Sequence, residues 1–139
     1  MQSRLENSIE AAVDYYAVMH NFLPRKLNNA ANDGWPDKLY VSHIGQHFYI
    51  EFKRAGEEPR VLQYYRMMSL LDRNCDVYIV DNVEDGKYVI DFYRGTVETP
   101  PVSRASYQHC SEAIRRGLAS RSRTGKDKLL SSGVQDTES

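Results

Sequence analysis

The sequence is short of cysteine, of histidine and of long apolar runs, and its charges almost cancel. Two cysteines, Cys75 and Cys110, stand apart with no CxxC spacing. That excludes a disulfide-dense secreted scaffold and a zinc ribbon, and it points to reduced, buried thiols in an intracellular protein. The four histidines, His20, His43, His47 and His109, have neither zincin nor finger spacing, which leaves them structural or surface roles. No stretch approaches the roughly 20 apolar residues that span a bilayer. The start, Met1-Gln2-Ser3-Arg4, has no apolar signal core, so the expectation is a cytoplasmic, non-secreted protein. With 18 Lys and Arg against 19 Asp and Glu, whole-chain charge gives no support to polyanion binding, and any such case rests on local clustering.

What is plentiful is tyrosine, ten against four phenylalanines. Tyrosine packs through its ring and keeps a hydroxyl for water or a partner, so the count hints at interfaces. A chain of 139 residues suits one core. We assign residues 1–119 to one domain and residues 120–139, rich in Ser, Thr, Gly and charge, to a flexible basic tail.

Ser3 to Phe22 has the spacing of a helix, with Leu5, Ile9, Ala12, Val13, Tyr16 and Met19 or His20 on its apolar stripe and Ser3–Glu6 as a capping box. Pro24 stops it, and Leu23 to Asn29 is a short strand or an irregular link before the loop Asn28 to Gly34. Lys38 to His43 and His47 to Arg54 alternate as a hairpin through Ile44-Gly45-Gln46. Arg60 to Asn74 is a second helix with Leu62, Tyr65, Met68 and Leu70 or Leu71 inward. Asp76 to Asp81 is a central buried strand, Lys87 to Tyr93 a further edge strand, and Ser106 to Ala119 a last helix. The order predicts an α/β sandwich with a mixed sheet.

The chemistry concentrates in Gly34-Trp35-Pro36-Asp37 and Glu51-Phe52-Lys53. Strand alternation sends Glu51 and Lys53 to one face and Phe52 to the other. Pairing with residue numbers summing to about 90 places Asp37 near Lys53. Two carboxylates beside a lysine suit a hard divalent cation, whose shell a substrate phosphate completes. Such an ion lowers the pKa of bound water and offsets charge building on phosphate. Lys53 orients that water or stabilises the pentavalent oxygen. An isolated ExK is common as an exposed strand pair, so the Gly-Trp-Pro-Asp loop is what gives it weight.

Together these residues resemble the PD-(D/E)xK nuclease superfamily, and more closely its virus-type replication-repair branch, the VRR-NUC domain. The similarity runs in order through Glu10 in Ser-Ile-Glu, Gly34-Trp-Pro-Asp-Lys38, Glu51-Phe-Lys-Arg54, Gly56, Val61-Leu-Gln63 and Val80-Asp-Asn-Val-Glu-Asp85. It implies a restriction-endonuclease-like sandwich and Mg²⁺- or Mn²⁺-dependent hydrolysis of DNA. It implies metal binding by Asp37, Glu51 and the Phe52 carbonyl, support from Glu10, action on water by Lys53, and orientation by Gln63. Glu6 and Asp14 lie on faces adjacent to Glu10, and the local match selects Glu10.

Arg25, Lys26, Lys38 and Arg54 bracket the expected site and are candidates for phosphate contacts, as are Arg115 and Arg116 in the late basic run. Trp35 is placed either to stack on a base or to pack under its loop. The resemblance also implies a homodimer acting on branched DNA such as four-way junctions, with flap or restriction-type cutting, or a silent DNA-binding module, as rivals. The chain shows no surplus recognition module, which favours shape over sequence as the target.

Overall fold

Alternation of Phe48, Ile50 and Phe52 with Tyr49 and Glu51 builds the central strand, whose two faces meet different helices. The structure is a computed structural model that describes residues 4–27 and 33–132, with side chains to residue 122. The expected Ser3 cap, residues 28–32 of the expected loop and residues 133–139 of the expected tail at 120–139 lie outside the described residues.

The elements are α1 (Arg4–Met19), β1 (Leu23–Lys26), β2 (Lys38–Val41), β3 (His47–Phe52), α2 (Val61–Leu71), β4 (Val77–Val80), α3 (Val83–Arg94) and α4 (Tyr107–Ser132). The sheet order is β1-β2-β3-β4, antiparallel for the first two pairings and parallel between β3 and β4. Residues 103–105 add a short bridge along β4 through Tyr78 and Arg104. This is the mixed-sheet α/β sandwich that the sequence predicts.

The hairpin register differs from the expectation by two residues. Lys38 pairs with Ile50 and Val41 with His47, so partners sum to 88. The turn begins one residue earlier than expected: Ser42 N–H donates to the Gln46 carbonyl at 2.7 Å, leaving His43-Ile44-Gly45 as a three-residue loop. Gly45 takes φ +88°, the left-handed position that such a loop needs. The shift sets Asp37 opposite Glu51 instead of Lys53.

One face of the sheet packs Tyr40, Phe48, Ile50, Phe52, Tyr78 and Val80 against Val13 and Ala17 of α1 and Val89 and Ile90 of α3. The other packs Val77, Tyr49 and Ile79 against Tyr64 and Met67 of α2 and Cys110, Ala113 and Ile114 of α4. Close approach is built in, since a Cβ on Gly86 would overlap Val13, and one on Gly117 would overlap Val61.

Lys87 to Tyr93 is helix, not edge strand. Asn82 caps α3 by accepting from Asp85 N–H at 2.8 Å, and Gly95 ends it at φ +81°. Gly86, Val89, Ile90 and Tyr93 then share one inward helical face, and the β-branched and aromatic composition is overridden. The inner faces of α1 and α2 also differ from the expected stripes. Leu5 and Met19 are exposed while Glu6, Glu10, Val13 and Ala17 are buried on α1. On α2 Tyr65 turns outward, and Gln63, Tyr64 and Met67 turn in. Helix α4 runs past Ala119 to Ser132, through Arg, Lys and Leu without a proline to stop it.

The tyrosines serve the interior more than any surface. Tyr40 donates to Asp14 at 2.6 Å, Tyr16 to Asp91 at 2.7 Å and Tyr93 to Asp76 at 2.6 Å, while Tyr78 and Tyr93 hydroxyls lie 2.8 Å apart. Each packs its ring in or against the core and satisfies its hydroxyl on a carboxylate or a neighbouring tyrosine. Cys110 is buried, and Cys75 is only half-buried. Among the described residues no helix is long and apolar enough to cross a membrane.

Candidate active site

Asp37 is fixed from two directions before β2 begins. Its Oδ2 accepts the Phe52 N–H at 2.9 Å, and its backbone carbonyl accepts the Leu27 N–H at 2.8 Å. Gly34, at φ +81°, lets the preceding loop close on Leu62 of α2, where a Cβ would collide. Trp35 is half-buried, with the Arg66 guanidinium 5.0 Å above its ring, so packing under the loop is what the structure shows for it.

Glu51 is 1% exposed. Its Oε2 accepts from Gln63 Nε2 at 2.7 Å and lies 3.4 Å from Lys53 Nζ. Gln63 is locked by α2 itself, because its Oε1 caps the helix by accepting the Arg60 N–H at 2.8 Å. That N–H can only donate, so the Gln63 amide nitrogen must face Glu51. Glu51, Lys53 and Gln63 therefore meet on one face, as strand alternation predicts, while Phe52 anchors the opposite core.

The other oxygen, Glu51 Oε1, is buried and has no hydrogen-bond partner among the described residues. A buried carboxylate oxygen left without a donor is costly, so such an atom calls for an occupant. Burial first, and the Asp37 carboxylate next, push the Glu51 carboxyl up to about 8 against the pull of Lys53 and Gln63. Asp37 is also pushed up, chiefly by burial, with the Phe52 N–H and the Lys26 ammonium opposing. A bound cation would reverse both shifts.

These groups line a cleft of about 520 Å³. Asp37, Glu51, Lys53 and Gln63 all reach it. So does Phe52, whose side chain is fully buried, which leaves its backbone to face the cleft. Among the described residues six acids line it, Glu6, Asp33, Asp37, Glu51, Glu57 and Glu58, against Lys53 and Arg60. A phosphate entering this field meets repulsion unless a cation comes with it.

The cleft does not collect every expected residue. Glu10 is absent from its lining; both Glu10 oxygens lie 3.0 Å from Lys26 Nζ, and Oε2 lies 3.4 Å from Lys38 Nζ. Glu6, one turn earlier on the same buried face, lines the cleft instead. The pattern of residue types could not separate them, because i and i+4 share a helix face and differ only in height along it. Lys38 is buried and held by Asp14 at 2.8 Å. Arg25 and Arg54 are exposed, Arg54 pairing with Glu57, and Arg115 is exposed on α4. Arg116 reaches back to Glu58 at 3.0 Å, at the edge of the cleft. Residues that the motif did not announce are Glu57, Glu58, Arg60 and Asp33.

The donor set fits a hard divalent cation of the Mg²⁺ type. Among the described residues no three His, Cys, Asp or Glu side chains form a metal-holding group. Two carboxylates with one unpartnered oxygen, beside a backbone facing the same cleft, match an ion that keeps waters and takes substrate oxygens.

With that geometry in hand, comparison with solved structures is decisive for the fold. A chain described as a VRR_NUC domain superposes with a TM-score of 0.60, covering 66% of this chain and 99% of that one at 21% identity. The chain has the fold of a VRR_NUC domain. No family model matches the sequence, and no curated protein does. In this VRR_NUC-type sandwich the cleft lies where the β2 start, the β3 end and the α2 start meet.

Proposed function

We propose that the protein is a metal-dependent nuclease that hydrolyses phosphodiester bonds in DNA. The observation that carries this reading is the buried Glu51 Oε1, without a hydrogen-bond partner among the described residues, on a side chain that lines an acidic cleft with Asp37 and Lys53. The likeness to a VRR_NUC domain supports it, since that name denotes a nuclease.

Asp37, Glu51 and the Phe52 carbonyl would hold Mg²⁺ or Mn²⁺. Such an ion supplies Lewis acidity to the scissile phosphate and acidifies an attacking water. Lys53 holds its ammonium 3.4 Å from Glu51, where it can orient the water or take negative charge forming on phosphate. Gln63 keeps the Glu51 carboxylate turned toward the cleft by donating to Oε2. Glu6, which lines the cleft, would take the supporting role on the first helix that the motif resemblance gives to Glu10. Exposed Arg25 and Arg115, with Arg54 and Arg116 on salt bridges at the surface, are the candidate backbone contacts.

Branched DNA, four-way junctions first, is the substrate form we propose, cut by a homodimer whose two-fold axis relates two clefts. The test is a panel of labelled junction, flap, single-stranded and linear duplex DNA with Mg²⁺, Mn²⁺ or Ca²⁺. Cleavage with Mg²⁺ or Mn²⁺, strongest on the junction, is expected. Folded protein that cuts none of them contradicts the nuclease reading, and equal cutting of linear duplex contradicts the branched target.

A further inference from the structure

Behind Asp37 lies a four-membered charge cluster. Glu10 is 8% exposed and sits between two lysines, with Lys26 Nζ 3.0 Å from each of its oxygens and Lys38 Nζ 3.4 Å from Oε2. Lys38 in turn bonds Asp14 at 2.8 Å, and Asp14 also takes the Tyr40 hydroxyl at 2.6 Å. The two lysines face each other across β1 and β2, yet they are not equivalent. The side chain of Lys38 is 8% exposed and that of Lys26 is 44% exposed.

We propose that Glu10 is a positioning residue that holds Lys26 ready beside the cleft, and that Lys26 leaves it to contact a phosphate of bound DNA. The proposal rests on the nuclease reading above. A buried carboxylate that loses its only cation is strongly destabilised. Glu10 does not face that loss, because Lys38 stays 3.4 Å away when Lys26 swings out. Lys38 has no such freedom, being buried and tied to both acids. Lys26 is also placed for the task. Its strand partner Lys38 directly follows Asp37, and Leu27, the next residue, donates its N–H to the Asp37 carbonyl. Lys26 is not part of the cleft's lining, which is mostly acidic, and its ammonium supplies positive charge from the neighbouring strand.

The experiment measures binding of fluorescein-labelled four-way junction DNA in Ca²⁺ as a function of salt, with wild type, Lys26→Met, Lys26→Arg and Glu10→Gln. One lost phosphate contact lowers the slope of log affinity against log salt by about 0.9. Between 50 and 200 mM salt, Lys26→Met binding should then weaken roughly three-fold less than that of wild type. Lys26→Arg should keep the wild-type slope. Calorimetric titration with Mn²⁺ forms the second arm: Glu10→Gln should bind it within about three-fold of wild type, whereas Glu51→Gln should lose at least about ten-fold. A folded Lys26→Met with an unchanged slope overturns the phosphate contact. If Lys26→Met does not fold, a wild-type slope in Lys26→Arg with weakened junction binding in Glu10→Gln supports the proposal, and unaltered binding in Glu10→Gln overturns it. Glu10→Gln losing Mn²⁺ as fully as Glu51→Gln makes Glu10 a ligand and ends the positioning role. Wild-type protein that neither binds nor cuts DNA instead removes the nuclease reading itself, an outcome distinct from any slope.

Discussion

Replacing Glu51 with glutamine keeps the shape of the side chain and removes a charge buried without a full set of partners. In metal-free protein the carboxyl is pushed from its ordinary 4.5 up to about 8 by burial and by Asp37. At about 1.4 kcal/mol for each pH unit, ionising it in the fold costs roughly 5 kcal/mol more than in the unfolded chain. The folded-state pKa lies above the unfolded one. Its contribution is therefore fully present below about pH 4.5 and is lost as pH rises through 8. Structural relaxation and water entry reduce the loss, and we expect at least about 2 kcal/mol of it to survive. Glu51→Gln has no such loss and frees Asp37 from a like-charged neighbour. In EDTA the variant should match wild type near pH 5 and exceed it by about 2 kcal/mol or more near pH 8.5, a rise in Tm of roughly 8 °C for a domain of this size. Adding Mn²⁺ at pH 8.5 should stabilise wild type and leave the variant unmoved. Urea denaturation at the two pH values, with and without Mn²⁺, decides it. A variant less stable than wild type at pH 8.5 in EDTA would refute the argument that Glu51 carries a strained charge awaiting a cation.

Gln63→Leu removes the acceptor of the Arg60 N–H and the donor to Glu51 together. We expect a loss of about 1 kcal/mol in urea denaturation from the missing cap and a ten-fold or greater fall in Mn²⁺ affinity by calorimetry. Gly86→Ala drives a Cβ into Val13 where α1 crosses α3, and should destabilise by about 1 to 3 kcal/mol in the same assay without altering Mn²⁺ affinity. Tyr93→Phe strips one donor from Asp76, which keeps Arg104 at 2.5 Å, and takes the acceptor from the buried Tyr78 hydroxyl, so a cost of about 1 to 3 kcal/mol is expected in thermal denaturation.

Much of the architecture was legible because period-2 alternation in His47–Phe52 and the loop-to-strand step at Asp37 are local signals. They were enough to put Glu51 and Lys53 on one face and to bring Asp37 within a residue or two of its place. The register itself was decided by which residue could take the left-handed turn position, and Gly45 takes it at the third loop residue, not the second. Lys87–Tyr93 has the local composition of a strand, because Val89, Ile90, Phe92 and Tyr93 favour strands, yet it folds as helix. Asn82 and Gly95 mark a helix only when taken as its two ends. The acids of α1 were harder. Apolar periodicity led toward Leu5 and Met19, whereas the face that turns inward carries Glu6 and Glu10, stabilised by partners from distant strands. Pairing of Glu10 with Lys26 and Lys38 depends on the β1–β2 register, which no local pattern discloses. Tyrosine abundance pointed to interfaces for the same reason: the carboxylates that satisfy Tyr16, Tyr40 and Tyr93 are far away in sequence.

The central claim, that the cleft formed by Asp37, Glu51 and Lys53 hydrolyses DNA, is tested most directly by comparing wild type with Lys53→Ala on labelled four-way junction DNA in Mg²⁺. Lys53 touches the site through its ammonium, 3.4 Å from Glu51, and lies outside the core, so the variant should fold and still bind the junction. The account predicts Mg²⁺-dependent cutting by wild type and a fall of at least about 100-fold in the variant's single-turnover rate. Cutting by Lys53→Ala at the wild-type rate would contradict it.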